Sequence, residues 1–213
     1  MAESALGLRL DALAITLGGR RLVALDTLIG PGEALTVMGP SGSGKSTLLA
    51  AITGTLPPPF GMTGRILLDG VDVTNMPTEA RRIGVLFQDE LLFPHLSVGA
   101  NLAFGLRPEV RGRRARRARI DAALTDIGLE GFAGRDPATL SGGQRARVAL
   151  MRMLLSEPCA LLLDEAFSKL DAALRGQVRA FVFDTARARR LPVLQVSHDI
   201  ADAEAAGPAI LRL

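Results

Sequence analysis

The chain has 213 residues, 48% of them hydrophobic and 22% charged, with a net charge of +3. Its length fits one globular domain with room for a small inserted subdomain. A single cysteine, Cys159, excludes an internal disulfide, and no apolar run approaches the roughly 20 residues of a membrane span.

The opening MAESALGLRLDALAI lacks a basic segment followed by a long apolar one, so no signal peptide is expected and the chain is predicted to be soluble by itself. The segments LRLDALAITL (8–17), RRLVALDTLI (20–29) and GRILLDGVDVT (64–74) alternate in polarity and are separated by Gly-rich turns. They predict a small antiparallel sheet. ALTVM (34–38), IGVLF (83–87), CALLLD (159–164) and PVLQVS (192–197) are nearly continuous apolar runs. Such runs suit strands of a parallel sheet covered on both faces. KSTLLAAIT and ARVALMRMLL read as helices, PPPF (57–60) as a rigid surface loop, and Cys159 as a small structural residue. Residues from about 89 to 155 look helical and predict a subdomain inserted between two core strands. The fold class is therefore α/β, with a mostly parallel sheet, an N-terminal antiparallel β subdomain and an inserted helical subdomain.

The run RPEVRGRRARRARIDAALTDIG (107–128) reads as a helix with Ile120, Leu124 and Ile127 inward and its arginines solvated. Dense arginine also grips anionic lipid or nucleic acid. No aromatic residue interleaves the arginines, which disfavours single-strand binding.

Between the strand 34–38 and the helix 45–53 lies GPSGSGKST, comprising Gly39, Pro40, Ser41, Gly42, Ser43, Gly44, Lys45, Ser46 and Thr47. Gly39 to Ser46 fits the phosphate-loop spacing G-x-x-x-x-G-K-[ST] in its required strand–helix setting. Backbone N–H groups of the turn and of the helix N-terminus form an anion site. Lys45 reaches terminal phosphates, and the Ser46 hydroxyl suits Mg²⁺. In CALLLDEAF the strand ends at Asp164, placed for Mg²⁺, and Glu165 follows as a candidate to polarise an attacking water. Adjacent carboxylates at a strand end also occur as solvated turn residues; it is the pairing with a phosphate loop that favours the chemical reading.

LSGGQRARVAL (140–150) resembles the signature motif of ATP-binding-cassette (ABC) proteins. Ser141, Gly142 and Gly143 open a helix with bare N–H groups at its positive end; an ordinary cap explains Ser141 but leaves two glycines and Gln144 unexplained. The resemblance covers essentially the whole chain. It implies a P-loop ATPase core and a head-to-tail homodimer in the ATP-bound state, in which this helix start faces the γ-phosphate held by the other subunit. It further implies that Gln88 senses Mg²⁺ and links to a transmembrane partner, that Asp171 in SKLD belongs to a loop at the dimer interface, and that His198 in VSHD contacts the γ-phosphate. His95, in LFPHLSV, has no such support and is expected to be structural. Two positions depart from the family pattern. Leu17 is the best match for an aromatic residue beside adenine, so plain apolar contact replaces stacking. Ala166 stands where proline usually follows the catalytic glutamate, which predicts a slightly looser loop.

VTNMPTEARRIGVLFQ and LLFPHLSVGANL resemble segments of bacterial importer ATPases for thiamine, iron, polyamines and sugars. Because Leu213 follows His198 closely, the sequence looks most like short, thiamine-type subunits without a C-terminal regulatory domain. The resemblance implies ATP and Mg²⁺ as cofactors, transmembrane permease subunits as partners and an extracytoplasmic solute-binding protein in the same system. It places the chain peripherally on the cytoplasmic face of the inner membrane. An exporter ATPase shares the same catalytic motifs. A soluble ABC ATPase acting on nucleic acid or ribosomes fits less well, since long coiled coils and a second cassette are missing. A GTPase is rejected, because SKLD follows the Asp164 strand immediately and a guanine reader lies on a later strand.

Overall fold

The computed structural model describes residues 6–89, 91–170 and 172–213. The first elements are β1 (Leu8–Leu17), β2 (Arg20–Ile29), β3 (Ala34–Met38), α1 (Lys45–Thr53), β4 (Phe60–Leu68), β5 (Val71–Asp72) and β6 (Ile83–Phe87). Three helices follow: α2 (Val98–Gly105), α3 (Arg113–Asp126) and α4 (Gly142–Leu154). The chain closes with β7 (Ala160–Asp164), α5 (Ala172–Ala188), β8 (Val193–Ser197), α6 (Ile200–Ala206) and β9 (Ile210–Arg212). They fall into two compact units, one holding the chain up to Val85 with Cys159–Glu165 and Phe183–Leu213, the other holding Leu86–Pro158 and Ala166–Val182.

In the first unit, β2-β1-β4-β5 form an antiparallel sheet. Along β1 the residues Leu8 and Leu10 point to the core, and so do Leu13 and Ile15, all fully buried. A strict period of two would turn Leu13 outward. A bulge after Leu10, where Ala12 takes φ 46°, absorbs the extra residue and returns the apolar side chains to the core face. The second sheet has the order β6-β7-β8-β3-β9, with β3–β8, β7–β8 and β3–β9 parallel. Leu161, Leu162, Leu163, Val193, Leu194 and Val196 are all buried, as expected where both faces are covered. Met38 lies opposite Ser197 and Asp164 opposite Val196. Strands β3, β7 and β8 therefore end level, and the segments leaving them emerge at one edge of the sheet.

The second unit is helical. Gly105 of α2 packs on α4 so closely that a Cβ there would sit 1.9 Å from the Arg152 carbonyl. The fully buried Asn101 ties the preceding loop to α2: Oδ1 accepts from Phe93 N–H, and Nδ2 donates to the carbonyls of Phe93, Leu96 and Ser97. In α3, Ile120 and Leu124 are buried, as is Ile127 at its end, with arginines on the outer face.

One local reading needs correction. PPPF is a loop only to Pro59, since Phe60 already pairs with Leu17 and starts β4. Helix α4 begins at Gly142 with Ser141 as its cap, in keeping with the expectation that Ser141, Gly142 and Gly143 open a helix. The short strand β9 gave no signal in the sequence. None of the described helices is long and apolar enough to cross a membrane.

Candidate functional site

The glycine-rich turn after β3 is built against the usual preferences of a helix start. Helix α1 has Gly44 at its N-cap with φ 99°, no side-chain cap and no acidic residue in its first turn. Its first residue is a lysine, at the positive end of the helix dipole. Those bare N–H groups and that cation suit an anion better than they suit the isolated helix. Glycine is required at position 44 twice over, by its φ and because a Cβ would meet Val23 Cγ2 at 2.8 Å. Lys45 is 7% exposed, and its ammonium donates to the carbonyls of Gly39 at 2.7 Å and Pro40 at 2.8 Å. Two of its three donors thus brace the loop.

A cavity of about 590 Å³ opens over this turn, lined by Gly39, Pro40, Ser41, Gly42, Gly44, Lys45, Ser46, Thr47, Glu165 and His198. Ser43 does not line it, and its buried hydroxyl has no hydrogen-bond partner among the described residues. Glu165 enters from the end of β7, with φ 46° and its N–H donating to the Val196 carbonyl of β8. His198 enters from the end of β8, with Nδ1 3.3 Å from Glu165 Oε1. Asp164, the last residue of β7, is half-buried beside them. Burial, and then the neighbouring Glu165 charge, push its carboxyl above the ordinary range, while Lys45 pulls the other way.

Behind His198 the structure reveals a pair that sequence reading missed. The buried Ser197 hydroxyl donates to Asp202 Oδ2 at 2.9 Å and accepts from Asp199 N–H at 3.0 Å, fixing the turn that carries the histidine. The one available signal was a carboxylate on the small apolar face of IADAEAA.

The remaining expected residues do not line this cavity. Leu17 ends β1 and is 37% exposed. Phe60 stands directly opposite it in the sheet, so an aromatic ring neighbours the position where the sequence offered only leucine. Gln88 is exposed and belongs to the second unit, as do Ser141, Gly142, Gly143 and Gln144. His95 is exposed, its ring 6.0 Å from that of Phe93. Asp171 lies outside the described residues.

The start of α4 corrects the view that a cap explains Ser141 alone. Ser141 Oγ accepts from Gln144 N–H and Gln144 Oε1 accepts from Ser141 N–H, a complete capping box. A Cβ at Gly143 would meet Leu174 Cδ1 at 2.3 Å, so glycine is needed there for packing. Only Gly142 has no requirement of this kind, since its Cβ would make ordinary contact with Leu174 at 3.4 Å.

The donor set fits a magnesium-bound polyphosphate. Among the described residues no three-residue His/Cys/Asp/Glu cluster can hold a metal unaided. The hydroxyls of Ser41, Ser46 and Thr47 and the Asp164–Glu165 carboxylates beside an anion cradle suit Mg²⁺ that shares phosphate oxygens with its substrate.

Comparison with known proteins agrees with this chemistry. A family model described as ABC transporter matches residues 22–168. An Escherichia coli (strain K12) protein described as uncharacterized ABC transporter ATP-binding protein YnjD is 50% identical over 186 residues, covering 87% of this chain and 85% of that one. The thiamine import ATP-binding protein ThiQ of Jannaschia sp. (strain CCS1) is 46% identical over 176 residues, or 83% of this chain and 76% of its own. ThiQ of E. coli (strain K12) is 42% identical over 172 residues, or 81% and 73%.

Proposed function

Since the chain belongs to the ABC transporter family as an importer-type ATP-binding subunit, we propose that it binds MgATP in the phosphate-loop cavity and hydrolyses it to drive a membrane permease. The observation that carries this reading is the convergence of the phosphate loop, Glu165 and His198 on one cavity.

In this reading the loop N–H groups and the start of α1 hold the β- and γ-phosphates, and Lys45 adds charge-assisted donors. Ser46 Oγ and the Asp164 carboxylate would hold Mg²⁺, which neutralises developing phosphate charge. The Glu165 carboxylate accepts the proton of the attacking water. His198 Nδ1, 3.3 Å from Glu165 Oε1, orients that carboxylate, and its contact with the γ-phosphate comes from family resemblance. Leu17 packs against the adenine. The roles of Gln88, Ser141, Gly142, Gly143, Gln144 and Asp171 come from family resemblance, as does the ATP-sandwich homodimer.

Relatives described as thiamine import proteins favour import over export. Importers use permease subunits, so the chain works peripherally at the cytoplasmic face of the inner membrane, in a system that includes a solute-binding protein. The reading also treats the chain as one ATP-binding domain with a helical subdomain inserted at about 89–155.

Equilibrium binding of a fluorescent ATP analogue to Lys45→Ala tests the site. Affinity should fall by roughly 10–100-fold, the worth of a charge-assisted hydrogen bond, and hydrolysis should be lost. Unchanged affinity with normal turnover would overturn the assignment.

A further inference from the structure

Residues 107–119 hold seven arginines and one glutamate, a net +6 in a chain whose total is +3. Part of this charge serves the fold. Arg116 donates to the carbonyls of Ala103 at 2.8 Å and Val110 at 3.3 Å, fastening the start of α3 to α2. Arg107 is bonded to Glu109 and Glu157, Arg117 to Asp121, and Arg119 lies 3.7 Å from Glu157. Arg111, Arg113 and Arg114 are different. All three are exposed and have no ion-pair partner among the described residues.

Their placement works against the helix that carries them. Arg113 and Arg114 occupy the first turn of α3, which has no acidic residue and no side-chain cap. Cations there oppose the helix dipole. Arg113 and Arg117 are also four residues apart, a repulsive like-charge pair on one face. An arrangement that opposes its own element without serving the packing points to a partner outside the chain.

That partner must be anionic and broad. Arg113, Arg114, Arg116, Arg117 and Ile120 border a shallow concavity of about 610 Å³. A single-stranded nucleic acid would be expected to stack on aromatic residues between the arginines, and α3 contains none. A sheet of phosphate headgroups needs no such platform, and guanidinium forks match phosphate oxygens. We propose that Arg111, Arg113, Arg114 and Arg117 form a docking face for the anionic phospholipids around the permease. This rests on the reading of the chain as a peripheral transporter subunit.

Each basic side chain near an anionic membrane strengthens binding about five-fold, so three together contribute roughly 100-fold. The test is co-sedimentation of the full chain with permease-free vesicles, either phosphatidylcholine alone or phosphatidylcholine mixed with phosphatidylglycerol. The expected result is binding to the mixed vesicles only, weakened by salt and reduced about 100-fold in Arg111→Gln/Arg113→Gln/Arg114→Gln. The variant should bind the fluorescent ATP analogue like the wild type, which also reports that it is folded. Equal vesicle binding by variant and wild type, or no vesicle binding by a wild type that still binds nucleotide, would overturn the docking face and leave the ATPase reading intact. Vesicle binding without nucleotide binding would do the reverse. Binding of short DNA duplexes or single strands as tight as binding to anionic vesicles would also overturn the commitment to lipid.

Discussion

Glu165 pays for its position in backbone strain. A φ of 46° places a side-chain-bearing residue in the left-handed region, at a cost of order 1 kcal/mol. Glycine escapes that cost and alanine does not. Glu165→Gly should therefore be more stable than Glu165→Ala by about 1 kcal/mol in urea denaturation, although glycine ordinarily loses that comparison. Equal stabilities would mean that the turn relaxes without strain. Asp164 supplies a second residue-scale expectation. Its carboxyl is raised by burial and by Glu165, so the folded protein holds a proton there more tightly than the unfolded chain. The resulting stabilisation is complete below the ordinary carboxylate range and is lost as pH rises through the raised value. Asp164→Asn avoids that loss. In buffer free of metal and nucleotide, its Tm advantage over the wild type should be absent near pH 3 and grow as pH rises from about 4, the ordinary carboxylate range, through the raised value. A difference that does not vary with pH would contradict this account.

At the scale of elements, the two ends of α1 are held by different chemistry. Its N-terminus has no side-chain cap and no acidic residue in its first turn, whereas its C-terminus is fastened by Arg81. That guanidinium is 5% exposed and donates to Ala51 and Ile52 at the end of α1, and to Thr74 and Met76 beyond β5. A cation also suits the negative end of the helix. A lysine has no planar fork and cannot span the same carbonyls. Arg81→Lys should therefore be destabilised by about 2–4 kcal/mol, because several buried carbonyls lose their donor. Guanidinium denaturation measures it, and a loss below about 0.5 kcal/mol would show that other groups satisfy those carbonyls.

Much of this element layout was legible in the sequence, for physical reasons. The bounds of β1, β2, β3, β6 and α1 follow from polar alternation, apolar runs and glycine punctuation, all of which act over a few neighbouring residues. Strand β9 was not legible, because three residues become a strand only by pairing with β3. Phe60 looked like part of a proline loop until Leu17 stood opposite it. Within the site, the phosphate loop could be read from fixed spacing. The Ser197–Asp202 bond and the capping box reaching Gln144 depend on side-chain contacts that spacing alone does not express.

In the whole molecule, β3, β7 and β8 end at one edge of a parallel sheet. Ligand sites in such sheets lie beyond the carboxyl ends of the strands. Here that edge carries Lys45, Glu165 and His198 around a single cavity. The most direct test is MgATP turnover by Glu165→Gln at saturating nucleotide, with binding measured on the same sample. The account predicts near-normal affinity, because the phosphate loop and Asp164 remain, with hydrolysis slowed by roughly 10²–10⁴-fold through loss of the general base. Hydrolysis by Glu165→Gln at the wild-type rate would contradict it.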